Sequence, residues 1–231
     1  MPSLRFGLVV GVDGSPRSTV AVSWATRDAE LRNVPLTLVH AAPRSWADPP
    51  AWAFGWPKLR RVRRILDDAL AVVDTSCRTA GPPEVITKVA RADPVAALVE
   101  LSREAELLVV GGSRPHGAGP VRRLLSGSVS SRLVDRAQCA VAVIHDEDPL
   151  MPHPAQAPVL VGVGGATTGR AADHARGEAR REAARRGVIV VEVPEARLAQ
   201  ESDRAQLTVV GDRTAGAAIT RAARMPVIVT G

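Results

Sequence analysis

The feature of this chain that most constrains its fold is an internal repeat of three short apolar runs. The runs VVGVDG at 9–14, LVVGG at 108–112 and AVAVI at 140–144 return in the same order as LVGVGG at 160–165, TVVGD at 208–212 and PVIVT at 226–230. Runs of this length and composition are typical of buried strands, and a repeat on this scale is a repeat of structural units. We therefore predict two copies of one α/β unit, called copy one and copy two below.

The two copies are unequal in length, and the inequality indicates where a ligand would bind. The offset between the matched runs is 151 residues at the first pair, 100 at the second and 86 at the third. Copy two has therefore lost 51 residues from its middle and a further 14 after its fourth strand. The second loss removes the segment that in copy one carries a glycine-rich loop. We expect copy one to bind a ligand and copy two, which lacks this loop, not to bind one.

Composition places the chain among ordinary globular proteins. Its 231 residues are 45% hydrophobic and 23% charged, which suits two modest domains. No apolar run approaches the roughly 20 residues of a membrane span, and we read no signal peptide. Cys77 and Cys139 are isolated, and neither they nor the five histidines show a metal-ligand spacing. We expect a cytoplasmic protein with no membrane partner and no metal site built from its side chains.

Two segments leave alternatives open. The basic run KLRRVRR at 58–64, in a chain of net charge +6, is either a solvated helix face or a contact for an anionic partner. No zinc-finger, RRM or KH signature accompanies it, so nucleic acid is a disfavoured partner. The aromatic loop at 46–56, with three tryptophans and a phenylalanine among prolines, is either a lid or partner surface or a cover for the domain's own core.

Apolar runs alternate with amphipathic stretches, which predicts βα units and a parallel sheet. In copy one we place strands near 6–12, 35–41, 84–90, 106–111 and 140–145, and helices near 16–33, 58–80, 94–104 and 127–137. Ser15-Pro16 and Asp93-Pro94 each supply an N-cap residue followed by proline at the first helical position. Strands with consecutive Val, Leu and Ile are expected to be covered on both faces.

The proline-rich stretch 146–158 marks the domain boundary, which gives a first domain at 1–147, a linker at 148–158 and a second domain at 159–231. In copy two we place strands at 159–163, 188–193, 207–211 and 226–230, and helices at 168–186 and 215–223. The interval between 193 and 207 has room for one crossover helix, so the third strand is missing. The predicted fold is α/β, two Rossmann-like domains of flavodoxin-like order 3-2-1-4-5, the second truncated at that edge strand.

The first strand ends in Gly11, Val12, Asp13, Gly14 and Ser15. Ligands of parallel sheets bind beyond the carboxyl ends of the strands, at the switch point between strands one and four. The Asp13 carboxylate at that place could accept hydrogen bonds from an adenine amino group or a ribose hydroxyl. The alternative is an aspartate that merely caps a helix in a tight turn.

The fourth strand leads into a segment suited to phosphate. Glycines let the backbone close on phosphates, and a helix N-terminus with hydroxyls binds anions. The residues concerned are Gly112, Ser113, Arg114, Gly117, Gly127, Ser128, Val129 and Ser130. A flexible surface loop followed by an ordinary serine N-cap is the alternative. Because two such loops flank the same switch point, we favour a phosphate cradle.

The segments GVDGSP, GGSRPHGAGPVRRLLSGSVSS and CAVAVIHDE resemble the universal stress protein family, and the two-copy layout resembles its tandem members from actinobacteria. ATP-binding members carry G-x2-G-x9-G-(S/T). Gly117-x9-Gly127-Ser128 keeps the second half, whereas Pro115 stands where the second glycine would follow Gly112. The resemblance implies ATP, with Mg²⁺ as its possible companion. It places Asp13 near the base or ribose, Gly11 near the nucleotide, Leu38 to His40 (with Val39) against adenine, and Gly112, Gly117 and Gly127 to Ser130 on the phosphates.

The resemblance also implies a role and an assembly. The role is that of a cytosolic, nucleotide-dependent stress or dormancy regulator without catalytic residues. Copy two, with Gly164 in place of the aspartate and Asp212 beside the predicted phosphate position, would bind no nucleotide. It would pack on copy one as a pseudo-dimer through the fifth strands, and two chains could pair again. Slow ATP hydrolysis or phosphoryl transfer at 112–130 and a nucleotide-free interaction module remain alternatives.

Overall fold

The computed structural model of the chain describes residues 5–42, 55–78, 82–112, 128–145, 154–165 and 167–231. These residues form nine strands and seven α-helices. The strands are β1 Leu8–Gly11, β2 Leu36–Ala41, β3 Val85–Ala90, β4 Leu107–Gly111, β5 Ala140–Ile144, β6 Val159–Val163, β7 Val190–Pro194, β8 Leu207–Val210 and β9 Val227–Val229. The helices are α1 Pro16–Arg32, α2 Gly55–Ser76, α3 Pro94–Leu101, α4 Val129–Arg136, α5 Gly169–Arg186, α6 Glu195–Glu201 and α7 Arg213–Ala222.

Contacts divide the chain into two compact units. The first unit comprises Met1–Gly111 and Ala137–Cys139, and the second comprises Gly112–Arg136 and Ala140–Gly231. β5 and α4 therefore belong to copy one in the sequence but to the second unit by contacts. The division at 1–147, 148–158 and 159–231 rests on the repeat and on the proline-rich stretch 146–158, and it stays a prediction.

The strands of the first unit run parallel in the order β3-β2-β1-β4, as predicted for these four. Leu8, Val9 and Val10 of β1 are completely buried although they point alternately to the two faces, so both faces of this strand are covered. The two predicted caps are confirmed. Ser15 accepts a hydrogen bond from the Ser18 amide at 3.2 Å, and Asp93 accepts from the Val95 amide at 3.1 Å.

The strands of the second unit have the order β5-β9-β8-β6-β7. All neighbours in it are parallel except β5 and β9, which pair antiparallel with Val141 opposite Val229 and Val143 opposite Val227. The fifth strands of the two copies therefore pair, as predicted, and each covers an edge of the other. Between β7 and β8 the chain forms α6 and one turn of 3₁₀-helix, which confirms the single crossover and the missing third strand.

Some helix limits differ from the predicted ones for local reasons. The last helix begins at Arg213 instead of 215, because the Asp212 carboxylate accepts a hydrogen bond from the Ala215 amide at 2.8 Å and caps it there. The helix predicted at 58–80 is α2, and it ends at Ser76. Its basic run presents Leu59, Arg60, Arg61, Arg63 and Arg64 as exposed residues, which is the geometry of a solvated helix face. Within the described part of the chain, no helix combines the length and apolarity needed to cross a membrane.

Candidate functional site

The end of β1 turns sharply into α1. The Asp13 carboxylate accepts a hydrogen bond from the Ser15 amide at 2.9 Å, and Gly14 has a φ of +80°, a conformation that favours glycine. A Cβ at Gly14 would also lie 2.9 Å from Ile65 Cγ1 of α2. The N-cap of α1 is Ser15, so Asp13 stabilises the turn before the helix and does not cap the helix itself.

Asp13 is exposed and carries its charge at neutral pH. Partial desolvation raises the pKa of this carboxyl group, but hydrogen bonds with Ser15 and Ser18 outweigh that effect and leave the pKa below its ordinary value. An ionised carboxylate that the turn holds in place and that solvent reaches is an acceptor available to hydroxyl or amino groups of a ligand.

The residues around Asp13 are fixed by packing and backbone hydrogen bonds. A Cβ at Gly11 would lie 3.1 Å from Leu98 Cδ1 and 3.3 Å from Val110 Cγ1, so glycine here allows strand and helix to pack closely. The Val12 amide donates to the Val39 carbonyl oxygen at 2.8 Å. His40 Nδ1 lies 2.7 Å from the Val12 carbonyl oxygen and therefore carries the proton. The side chains of Val12, Val39 and His40 are buried.

Gly112, in the second unit, is placed by its neighbours in the same way. Its amide donates to the Ile144 carbonyl oxygen at 2.8 Å. A side chain at this position would overlap the imidazole ring of His145, which is itself buried. Glycine is therefore required here for packing, whether or not a phosphate approaches its backbone.

The N-terminus of α4 carries a cluster of three serines. Ser128 Oγ lies 2.9 Å from Ser130 Oγ and 2.9 Å from Ser131 Oγ, and it accepts a hydrogen bond from the Ser131 amide at 3.2 Å. Ser128 thus acts as the serine N-cap of the alternative interpretation. The same hydroxyls and first-turn amides also have the chemistry of an anion-binding helix N-terminus. Val129 between them is 41% exposed, so solvent reaches this end of the helix.

Several predicted site residues lie outside the described residues. They are Ser113, Arg114, Gly117 and Gly127, together with most of the aromatic loop at 46–56. Gly11 to Ser15, Val39 and His40 belong to the first unit, whereas Gly112 and Ser128 to Ser130 belong to the second. That the two sets serve one nucleotide stays a prediction.

The corresponding loop of copy two contains an internal carboxylate that the sequence interpretation missed. Gly164 stands where copy one has Asp13 and has a φ of +77°. The Glu195 carboxylate, at the start of α6, accepts a hydrogen bond from the Thr167 amide at 3.0 Å. A Cβ at Gly165 would lie 3.0 Å from that carboxyl group. Asp212, expected to repel phosphate, caps α7. Nothing in the local sequence pairs Glu195 with this loop, because the contact is tertiary.

The described residues were compared with the side-chain clusters that bind metal ions. Among those residues, no group of three or more His, Cys, Asp or Glu side chains is arranged to hold a metal ion.

Comparison with known proteins adds the family. Residues 7–145 match the model of the universal stress protein family. Universal stress protein Rv2623 of Mycobacterium tuberculosis is 46% identical over 190 residues, which cover 80% of this chain and 62% of that protein. The chain thus spans less than two thirds of the length of this relative.

Solved structures support the fold. A universal stress protein from Archaeoglobus fulgidus DSM 4304 superposes with a TM-score of 0.68 at 15% identity and covers 97% of both chains. A universal stress protein crystallised in complex with cAMP is 29% identical and covers 61% of this chain and 97% of its own, with a TM-score of 0.49. The first likeness concerns the fold alone, and the second is too weak to say anything about the ligand of this chain. With the match over 7–145 and the 46% identical relative, the chain belongs to the universal stress protein family.

Proposed function

We propose that copy one binds an adenine nucleotide, namely ATP together with Mg²⁺. We further propose that the protein is a cytoplasmic stress or dormancy regulator whose activity depends on whether the nucleotide is bound. The observation that carries the proposal is Asp13. It is an exposed, ionised carboxylate that the turn holds at the carboxyl end of a parallel strand, the position where parallel α/β sheets bind ligands. Its counterpart in copy two is glycine.

Each part of the nucleotide has a candidate partner of suitable chemistry. A carboxylate accepts hydrogen bonds from ribose hydroxyls or from the adenine amino group, and such charge-assisted bonds are stronger than neutral ones. The first-turn amides of α4 and the Ser128, Ser130 and Ser131 hydroxyls suit phosphate oxygens. Mg²⁺ would be held mainly by those phosphates, the ligands that it commonly takes at nucleotide sites.

The backbone geometry around Asp13 supports binding without large rearrangement. The Val12 amide and carbonyl groups are already hydrogen-bonded to β2 through Val39 and His40. The carboxylate therefore follows a strand end that is already hydrogen-bonded, and a ligand would lose little affinity to ordering of this segment.

The test is direct recovery of the nucleotide followed by titration. Purified protein is denatured, and the released nucleotide is identified by mass spectrometry. ATP is then titrated into the emptied protein by calorimetry. Wild type should carry or bind about one adenine nucleotide per chain. Asp13→Ala should weaken binding about 10- to 100-fold, the loss expected for a charge-assisted hydrogen bond.

Glu100→Gln is the matched control, because it removes an exposed carboxylate of the same unit whose ion pair among the described residues is with exposed Arg103. This variant should bind ATP as wild type does. A protein that is recovered empty and gives no heat with ATP would overturn the proposal and favour the nucleotide-free interaction module. Equal affinities of wild type and Asp13→Ala for ATP would show that Asp13 does not contribute to nucleotide binding.

A further inference from the structure

A residue of copy two contacts the C-terminal end of the serine-bearing helix α4. Arg213, the first residue of α7, donates from Nη1 to the carbonyl oxygen of Asp135 at 2.7 Å. Asp135 lies in the last turn of α4, where helix carbonyls have no partner within the helix. The guanidinium also places a positive charge at the negative end of the helix dipole. Arg213 thus caps the C-terminal end of α4, opposite the serine cluster.

The Arg213 side chain also contacts the backbone of copy two. Arg213 Nε donates to the carbonyl oxygen of Gly231 at 2.5 Å. Gly231 is packed so closely against Arg213 and Gly211 that a Cβ on it would overlap the Gly211 carbonyl oxygen. The Thr230 amide fixes this segment further by donating to the Val210 carbonyl oxygen at 2.9 Å. Arg213 therefore bridges two pieces of backbone, one from each copy.

The position of α4 depends on such contacts because the helix is short. It has eight residues, too few for a helix that is stable alone. It packs against α7 within the second unit, and at 1.5 Å per residue its two ends are only about 12 Å apart. A displacement at Asp135 is therefore transmitted to Ser128 at the other end.

We propose that Arg213 is a positioning residue for the phosphate groups of the nucleotide: by holding the C-terminal end of α4, copy two sets the place of the Ser128, Ser130 and Ser131 hydroxyls. This inference rests on the proposed function, and it gives the shortened copy a task in ligand binding that does not need a second nucleotide site. Arg213 has no contact with the ligand and acts only through α4.

The test separates phosphate recognition from base recognition. ATP and adenosine are titrated into wild type, Arg213→Gln and Arg213→Lys. Arg213→Gln should bind ATP about tenfold more weakly, the equivalent of one charge-assisted hydrogen bond, while its affinity for adenosine stays at the wild-type value. Arg213→Lys keeps the charge but cannot bond both carbonyl groups in the same geometry, so its affinity for ATP should be intermediate.

Arg221→Gln is the matched control on the same helix. Its Nε donates to Ala217 of α7 itself at 2.8 Å, so the change removes an arginine from α7 without removing the bridge to α4. This variant should bind both ligands as wild type does. An equal loss of ATP and adenosine affinity in Arg213→Gln would overturn the inference, since a general loss of structure would weaken both.

Hydrogen exchange without nucleotide distinguishes this inference from the proposed function. In Arg213→Gln and, more weakly, in Arg213→Lys, the amides of α4 should exchange about tenfold faster, whereas those of α3 should be unchanged. Unchanged exchange in α4 would overturn the anchoring role. If wild type binds neither ATP nor adenosine, the proposed function fails and the phosphate part of this inference fails with it, and the exchange rates still decide whether Arg213 anchors α4.

Discussion

The first helices of the two copies share a buried ion pair, whereas the loops that precede these helices differ. α1 buries Asp28, which is paired with Arg32 four residues later at 2.7 Å. α5 buries Glu182, which is paired with Arg186 four residues later and with Arg185 at 2.5 Å. The loops before these helices differ, with Asp13 exposed in copy one and Gly164 in copy two. The repeat has kept a buried ion pair of the fold and has not kept the exposed carboxylate.

This contrast separates two kinds of polar residue. A buried charge must remain paired, because removal of one partner leaves the other without compensation in a medium of low polarity. An exposed carboxylate in a turn contributes little to stability, so the fold tolerates its replacement. In copy two the Thr167 amide donates a hydrogen bond to the Glu195 carboxylate at 3.0 Å. The fold therefore tolerates glycine at the position of Asp13, and the binding role of Asp13 stays a proposal.

The largest effect is expected at Glu182. Its side chain is fully buried, and Glu182→Ala removes the acid that pairs with Arg186 and, at 2.5 Å, with Arg185. Arg185 keeps a longer contact of 3.9 Å with Glu178, and the loss of the buried acid should destabilise the chain by about 3–5 kcal/mol. Asp28→Ala should cost less, because Arg32 keeps its ion pair with Glu106 at 2.6 Å. Urea denaturation followed by circular dichroism measures both. Arg63→Gln, which removes one partner of an exposed pair with Asp67, is the control. Equal losses for Glu182→Ala and Arg63→Gln would refute the comparison.

Substitution of glycine by alanine should change the free energy of unfolding by a smaller amount, and with opposite sign at one position in each copy. Gly112→Ala overlaps the His145 ring and should destabilise by about 1–3 kcal/mol. Gly177→Ala lies within α5, where only the end of the Arg181 side chain is near, at 3.7 Å. It should stabilise by about 0.5–1 kcal/mol, because alanine is a better helix former. Thermal unfolding measures both shifts. A stable Gly112→Ala variant would mean that His145 can move aside.

The comparison also shows which parts of the molecule local sequence can reveal. Ser15-Pro16 and Asp93-Pro94 predicted the helix starts, because an N-cap acts on amides two or three residues away. The repeat predicted the missing third strand, whereas the pairing of β5 with β9 was an expectation from the family resemblance. The strand ends around Gly11 and Asp13 followed from the apolar runs that precede them.

The residues that sequence reasoning missed act across the fold. Glu182 has the pattern of an ordinary solvated helix residue, and only tertiary packing makes it buried. Glu195 on the Thr167 amide and Arg213 on Asp135 are contacts between separate elements. The reason for glycine at 112 is the His145 ring, which follows the next strand. No local pattern encodes these contacts, because each depends on how elements distant in sequence meet.

The smallest effect concerns the charge of Asp13. Its pKa in the folded chain lies below the ordinary 3.8, so the stabilisation linked to ionisation is complete above that value and is lost as pH falls through the folded pKa. The difference in unfolding free energy between wild type and Asp13→Asn should be constant from about pH 7 to 5 and shrink below about pH 3.8. Because the carboxyl group of Asp13 is exposed, this free-energy difference should stay within about 0.5 kcal/mol.

Chemical denaturation across that pH range, with Gly164→Ala as the control in copy two, measures the linkage. Position 164 carries no titrating group, so the effect of its substitution should not change over the same interval. A difference for Asp13→Asn that instead grew toward low pH would mean a raised pKa, with desolvation dominating over the hydrogen bonds of Ser15 and Ser18. The carboxyl group would then be protonated more readily than free aspartate, and the turn would not be what keeps an ionised acceptor ready for a ligand.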